Sequence, residues 1–130
     1  MMRTLVLVPT YNEAASIRSI VARIRAAVPE ADVLVLDDAS PDGTGAIADE
    51  LAAADDRLRV AHRPGKQGLG AAYLDGFARA AAEGYEAVVE IDADGSHDPA
   101  ELPAMLALLR ETPADLVIGS RWVAGGSVVN

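Results

Sequence analysis

The sequence predicts an α/β domain built on a mainly parallel β-sheet with helices on both faces. Two observations carry that expectation. Short runs rich in β-branched residues alternate with Ala-rich amphipathic stretches, the sequence form of a parallel sheet covered by helices. The 130 residues, 51% of them hydrophobic, also suit one packed core with no interdomain linker. With aromatic residues at only 4%, Ala, Val, Leu and Ile must fill that core.

Strands are expected at residues 4–8, 32–37, 58–62, 87–92 and 115–119. Between the first two, Ile17, Ile20, Val21, Ile24 and Val28 recur at spacings of three and four, which marks one face of a helix ending before Pro29. A second helix is predicted over 44–54, introduced by Ser40-Pro41-Asp42-Gly43, residue types that favour a turn followed by an N-cap. The third, over 69–83, carries Tyr73, Phe77 and Ala80 on one face. The fourth opens with Asp98 as N-cap, Pro99 at the first helical position and Glu101 to complete a capping box; Leu102, Met105, Leu106 and Leu109 form its buried stripe. The run Gly125-Gly126-Ser127-Val128-Val129-Asn130 offers no further helix or strand, and the chain reads as part of a longer domain.

Composition narrows the chemistry. A net charge of −9, from 20 acidic and 11 basic residues, repels a phosphate backbone and disfavours nucleic acid as a partner, whereas a divalent metal suits it. The absence of cysteine excludes disulfides, thiolate zinc sites and thiol nucleophiles. Two histidines, His62 and His97, are too few for a histidine-rich metal centre and are expected to be structural or solvent-facing. No segment approaches the roughly 18 apolar residues of a membrane span, and Leu5 to Val8 is too short for a signal-peptide core, so a cytosolic or peripheral location is expected.

Right-handed connections in such a fold bring every strand's carboxyl end to one rim of the sheet, where ligands bind. The first strand is not followed by Gly-x-Gly-x-x-Gly, and Lys66 is followed by Gln67 without the upstream glycine of a Walker A loop, so both common phosphate cradles are missing. A diphosphate must then be neutralised by a carboxylate-held Mg²⁺ or Mn²⁺. Asp92-Ala93-Asp94 offers the carboxylates at a strand end, and Ser96 a hydroxyl two residues further on. An Asp-rich turn that merely caps a helix is an equal reading of Asp92 and Asp94 alone, and the better one for Asp98. Asp37-Asp38 shifts the balance, because two adjacent acids at a second strand end repel each other and suggest a ligand or cation. Ser40-Pro41-Asp42-Gly43-Thr44 reads as turn and cap. Glu13 suits either a first-turn acid or a site wall, and Tyr11 a half-buried wall. Lys66 lies in a Gly-rich loop that brings a cation near the rim, Arg121 follows the last strand as a phosphate contact or a surface ion pair, and Trp122 suits packing. Glu90 stands inside the fourth strand with no account from sequence.

Taken together, the five strand-end motifs resemble the GT-A glycosyltransferases of family 2, most closely the polyprenyl-phosphate mannose synthases. The matching residues are Val8-Pro9-Thr10-Tyr11-Asn12-Glu13, Asp37-Asp38-Ala39-Ser40-Pro41-Asp42-Gly43-Thr44, Lys66-Gln67-Gly68-Leu69-Gly70, Asp92-Ala93-Asp94-Gly95-Ser96-His97-Asp98-Pro99 and Gly119-Ser120-Arg121-Trp122. The resemblance implies a Rossmann-like GT-A nucleotide-sugar-binding fold, with residues 1–130 as the incomplete, donor-binding part of a catalytic domain. It implies an inverting enzyme that moves a hexose, usually mannose from GDP-mannose, to the phosphate of a polyprenol at the cytoplasmic face of a membrane, using Mg²⁺ or Mn²⁺. Pro9, Tyr11, Glu13, Leu36 and Asp38 would line the nucleotide pocket, with Asp38 near the base and Lys66 near the diphosphate. Asp92, Ala93 and Asp94 would form the Asp-x-Asp type motif. Asp94 would be the metal ligand, with Ser96 and Asp92 in the same sphere, and Arg121 would face the diphosphate, so that Asp94 and Arg121 are the expected catalytic pair. Family members continue well past this segment, which leaves the last strand as an expected open edge that favours self-association. The alternatives are a family 2 relative using a UDP-sugar and a saccharide acceptor, and a non-enzymatic, receiver-like Mg²⁺ module. The receiver-like class places its acidic pair after the first strand, where this chain has Pro9-Thr10.

Overall fold

The computed structural model describes residues 3–65, 68–94, 98–111, 116–118, 122–123 and 127–128, and beyond residue 108 it describes backbone alone. Strands β1 (Thr4–Thr10), β2 (Asp32–Asp37), β3 (Leu58–His62), β4 (Ala87–Glu90) and β5 (Leu116–Ile118) alternate with helices α1 (Ile17–Ala27), α2 (Thr44–Ala53), α3 (Leu69–Ala82) and α4 (Leu102–Glu111). A 3-10 turn at Pro99–Glu101 leads into α4, with Asp98 as its cap accepting the Ala100 N–H, as its sequence predicts. The five strands form one sheet in the order β3-β2-β1-β4-β5, and every pair is parallel.

The two faces of the sheet are written in the alternation of β1 and β2. Val6, Val8, Val33 and Val35 pack on one side under α1, α2 and α4, together with Ile17, Ile20, Ile24, Ala48 and Leu102. Leu5, Leu7, Leu34 and Leu36 pack on the other under α3, against Ala72, Ala80, Tyr73 and Phe77. Period-two side-chain direction sorts valine to one face and leucine to the other. Leu5, Val6, Leu7 and Val8 are fully buried, and each such side chain stabilises the fold by about 1.5–3 kcal/mol. Helix α3 comes close to β1 at Gly76, where a Cβ would stand 2.6 Å from Leu7 Cδ1.

The sheet order reverses at β1, which pairs with β2 on one side and β4 on the other. Such a switch point opens a crevice beyond the strands' carboxyl ends. Several expectations need correction. Strand β1 continues to Thr10 instead of ending at residue 8. Strand β4 ends at Glu90 rather than at residue 92, although Ile91 N–H still donates to Leu7 O at 3.0 Å. The C-terminal run is not free of structure, for β6 (Trp122–Val123) and β7 (Ser127–Val128) pair antiparallel, and β7 lies against β5.

Candidate active site

The crevice holds a cavity of about 250 Å³ lined by Pro9, Thr10, Tyr11, Glu13, Leu36, Asp38, Gly68, Ala72, Asp92, Ala93 and Asp94. Eight residues singled out in the sequence therefore meet at one place: Pro9, Tyr11, Glu13, Leu36, Asp38, Asp92, Ala93 and Asp94. Lys66, Ser96 and Arg121 lie outside the described residues.

Pro9 opens the crevice. In the parallel ladder, odd-numbered residues of β1 face β4, since Leu7 O accepts from Ile91, and even-numbered ones face β2, since Thr10 O accepts from Asp38. The next N–H due to point at β4 is that of residue 9, and proline has none. The β1–β4 ladder stops there, and the chain after Ile91 is released into the turn that carries Asp92 and Asp94 (β1 meanwhile stays paired to β2 as far as Thr10).

That turn is braced from both faces of the sheet. From α3, the Tyr73 hydroxyl donates to Asp92 Oδ1 at 2.8 Å. From the start of α1, the Ser16 hydroxyl donates to the Ala93 carbonyl at 2.6 Å. Neither partner was visible as such in the sequence, where Tyr73 marked only a packing face. Glu13 looks toward the same acids. Its carboxyl is pushed above the ordinary carboxylate range by burial, partly offset by the Ser16 hydroxyl, and pushed further by the negative charges of Asp94, Asp42 and Asp92. Acidic groups thus converge on one end of the cavity.

The wall of the site is built by two loops that clasp each other. Three successive backbone N–H groups after β1 are taken up by alternate side chains after β2: Asn12 donates to Ser40 Oγ at 2.9 Å, Glu13 to Thr44 Oγ1 at 2.9 Å and Ala14 to Asp42 Oδ2 at 3.1 Å. Asp42 also accepts from the Thr44 hydroxyl and N–H, and the Thr44 hydroxyl leads the causes that hold its carboxyl below the usual range. Ser40-Pro41-Asp42-Gly43-Thr44 is therefore a turn, as expected, but α2 has Gly43 at its N-cap with no side-chain cap bond. The side chains serve the neighbouring loop as well as their own. Asn12 and Ala39 hold positive φ angles of 57° and 51°, a conformation costly enough for non-glycine residues that the clasp must hold it.

Asp37 and Asp38 do not act as a pair. Consecutive strand residues point to opposite faces. Asp37 accepts from the Thr10 and Ser40 hydroxyls, at 2.7 and 2.6 Å, and from Ser40 N–H, so its charge is satisfied inside the fold. Asp38 lines the cavity with Arg63 Nε at 2.5 Å, and Arg63 also reaches Asp75 at 2.8 Å. Arg63 and Asp38 are only 8% and 5% exposed. The mutual repulsion inferred from sequence is thus resolved by internal partners. Of the two histidines, His62 is exposed beside Asp49, and His97 lies outside the described residues. Glu90 is buried between Leu7 of β1 and Ile118 of β5, and has interactions of its own.

A divalent cation fits this donor set. Asp92 and Asp94 carry carboxylate oxygens of the hard type such a cation takes, and one Asp92 oxygen accepts from Tyr73. Among the described residues, no three His, Asp or Glu form a complete cage. Mg²⁺-type sites commonly use one or two carboxylates and take the rest of their oxygens from a phosphate.

Comparison with known proteins identifies the family. The model of "Glycosyl transferase family 2" matches residues 5–130. The chain belongs to glycosyl transferase family 2. Within this family it is 56% identical over 129 residues to the undecaprenyl-phosphate mannosyltransferase of Micrococcus luteus, covering 99% of this chain and 52% of that protein. To the polyprenol monophosphomannose synthase of Mycolicibacterium smegmatis it is 57% identical over 129 residues, covering 98% and 48%. The chain thus spans about half the length of these relatives. Among solved family 2 folds, the mannosyltransferase PcManGT from Pyrobaculum calidifontis, in complex with GDP-Man and Mn²⁺, superposes with a TM-score of 0.73 at 27% identity, over 87% of this chain and 33% of that one. The GT-A type fold expected from the sequence is the fold observed.

Proposed function

We propose that this chain is the donor-binding region of a polyprenyl-phosphate mannosyltransferase, which moves mannose from GDP-mannose to a polyprenyl phosphate with inversion at the anomeric carbon. One observation carries the reading: a cavity at the switch point brings Pro9, Tyr11, Leu36 and Asp38 together with the acids Glu13, Asp92 and Asp94. The names of the relatives that are 56–57% identical support mannose and a lipid phosphate over other sugars and acceptors.

In this reading Pro9, Tyr11, Leu36 and Asp38 receive the nucleoside, with the Asp38 carboxylate toward the base. Asp94, with Asp92 and Ser96, would hold Mg²⁺ or Mn²⁺, and Ala93 separates the two carboxylates by one residue. The metal, when bound, stabilises the negative charge that gathers on the departing diphosphate. Lys66 and Arg121 would offer positive charge to the diphosphate. The bond between the anomeric carbon and the β-phosphate oxygen breaks, and a new one forms from the acceptor phosphate on the opposite face. That acceptor has a second pKa of about 6, so it arrives largely ionised and needs no dedicated base. Such an acceptor would set the work at a membrane surface, and a nucleotide-sugar donor would set it at the cytoplasmic face. The described residues contain no helix long and apolar enough to cross one.

Calorimetric titration tests the reading. GDP-mannose with Mn²⁺ is expected to bind, GDP-mannose with chelator and UDP-glucose with Mn²⁺ much more weakly. Asp94→Asn is expected to lose affinity by more than the roughly 10- to 100-fold typical of groups one shell further from a metal. Equal binding of GDP-mannose in chelator, or by Asp94→Asn, overturns the role of Asp94; a preference for UDP-glucose overturns the donor.

A further inference from the structure

Ser16 occupies the N-cap position of α1, yet its side chain makes no capping bond to that helix. Serine at this position ordinarily accepts a backbone N–H from the first helical turn. Here the hydroxyl reaches across 77 residues of sequence to the carbonyl of Ala93. It has one proton and three acceptors within range: Ala93 O at 2.6 Å, Glu13 Oε2 at 3.3 Å and Glu13 O at 3.4 Å. The shortest contact, to the Ala93 carbonyl, is the strongest of the three, and Glu13 Oε2 takes a weaker share of the same proton.

We infer that Ser16 is a positioning residue for the Asp92-Ala93-Asp94 turn. The inference rests on the proposed role of that turn in holding a metal and diphosphate. Fixing the Ala93 carbonyl fixes the plane of the peptide that joins Ala93 to Asp94, and with it the direction in which the Asp94 side chain leaves the backbone. Ala93 is 2% exposed and Ser16 is half-buried, so the carbonyl has little access to solvent other than through this hydroxyl. Tyr73 steadies the Asp92 carboxylate from the α3 side. Ser16 is the matching strut from the α1 side, and it joins the loop after β1 to the turn after β4 through one hydrogen bond. The capping function that Ser16 forgoes leaves α1 to be started by the Glu13 carbonyl, which accepts from both Ser16 N–H and Ile17 N–H at 3.0 and 2.9 Å.

The test uses this chain with GDP and Mn²⁺ as probes. Ser16→Ala is expected to lower Mn²⁺-dependent GDP affinity by about 10- to 100-fold, the range for groups that orient metal ligands. Ser16→Thr, which keeps the hydroxyl, is expected to restore affinity close to that of the unaltered chain. Without metal or nucleotide, hydrogen exchange across Asp92–Asp94 is expected to quicken in Ser16→Ala and not in Ser16→Thr. If Ser16→Ala does not fold, Ser16→Cys, a weak donor of similar size, reads the same quantities. Unchanged affinity in the alanine variant, failure of threonine to rescue, or affinity loss with unchanged exchange at the turn each overturns the inference. Absence of Mn²⁺-dependent GDP binding by the unaltered chain overturns instead the functional reading beneath it, and the inference falls with it.

Discussion

At the amino ends of the strands, acids and bases are matched; at the carboxyl ends, acids are gathered. The first rim pairs Arg25 with Asp55 at 2.6 Å, Arg59 with Glu83 at 2.8 Å and Arg57 with Asp32 at 3.2 Å, and lays Arg3 over the Tyr85 ring at 4.5 Å. Its acid Asp55 is held below the usual carboxylate range by the Arg57 N–H and by Arg25. The second rim brings Asp42, Asp92 and Asp94 within electrostatic range of Glu13, which is pushed the other way by burial and by those neighbours. One rim uses charge to hold the fold together. The other stores repulsion that, on the function proposed above, a metal and a nucleotide relieve.

The largest expected effect breaks the buried ionic link that Arg63 makes at the acidic rim. Arg63→Met leaves Asp38 and Asp75 facing an apolar side chain, and denaturant unfolding is expected to show a loss of about 3–5 kcal/mol, as for other buried pairs that lose one partner. Adding Asp38→Asn is expected to recover part of that loss. A loss below about 1 kcal/mol would mean that Arg63 is no more important than a surface ion pair.

At the matched rim, Asp55→Asn removes a charged acceptor from the Arg25 guanidinium and the Arg57 N–H, with an expected loss of about 1–3 kcal/mol at pH 7. The sign with pH follows from the depressed folded pKa. The stabilisation is fully present above the ordinary Asp value and disappears as pH falls through the lower, folded one, so the two proteins converge in acid. A gap that persists unchanged at low pH would show that the charge of Asp55 is not what stabilises this rim.

Glu13→Gln is the smallest and the opposite. A folded pKa raised above the unfolded value makes the ionised form a liability once pH exceeds it. Without metal, the variant is expected to melt slightly higher than the unaltered chain at pH 7, and the gain to vanish below the ordinary carboxylate range. A lower melting temperature at pH 7 would place Glu13 among the stabilising acids.

The same contrast explains what the sequence could and could not tell. Strands β2 and β3 fell where the apolar runs predicted them, and α1 follows the spacing of Ile17, Ile20, Val21 and Ile24. Local periodicity and turn chemistry are properties of neighbours in the chain. The rim's location was legible because parallel topology carries all strand ends to one side, so eight residues chosen from separate motifs line one cavity. The partners within it were not legible. Ser16 to Ala93, Tyr73 to Asp92 and Arg63 to Asp38 join residues 77, 19 and 25 positions apart, and no spacing rule reports them. Asp37 and Asp38 were misjudged as a pair although alternation along a strand already separates them. The β6–β7 pairing was missed because two-residue strands are too short to show a period.

The most direct test of the central claim is the melting temperature of this chain with Mn²⁺ alone, with GDP alone and with both. If the acidic rim is completed by metal and nucleotide together, only the pair raises it strongly, by about 2.7 kcal/mol of stabilisation at one hundred times the dissociation constant. GDP stabilising the chain equally in the presence of chelator would contradict the account.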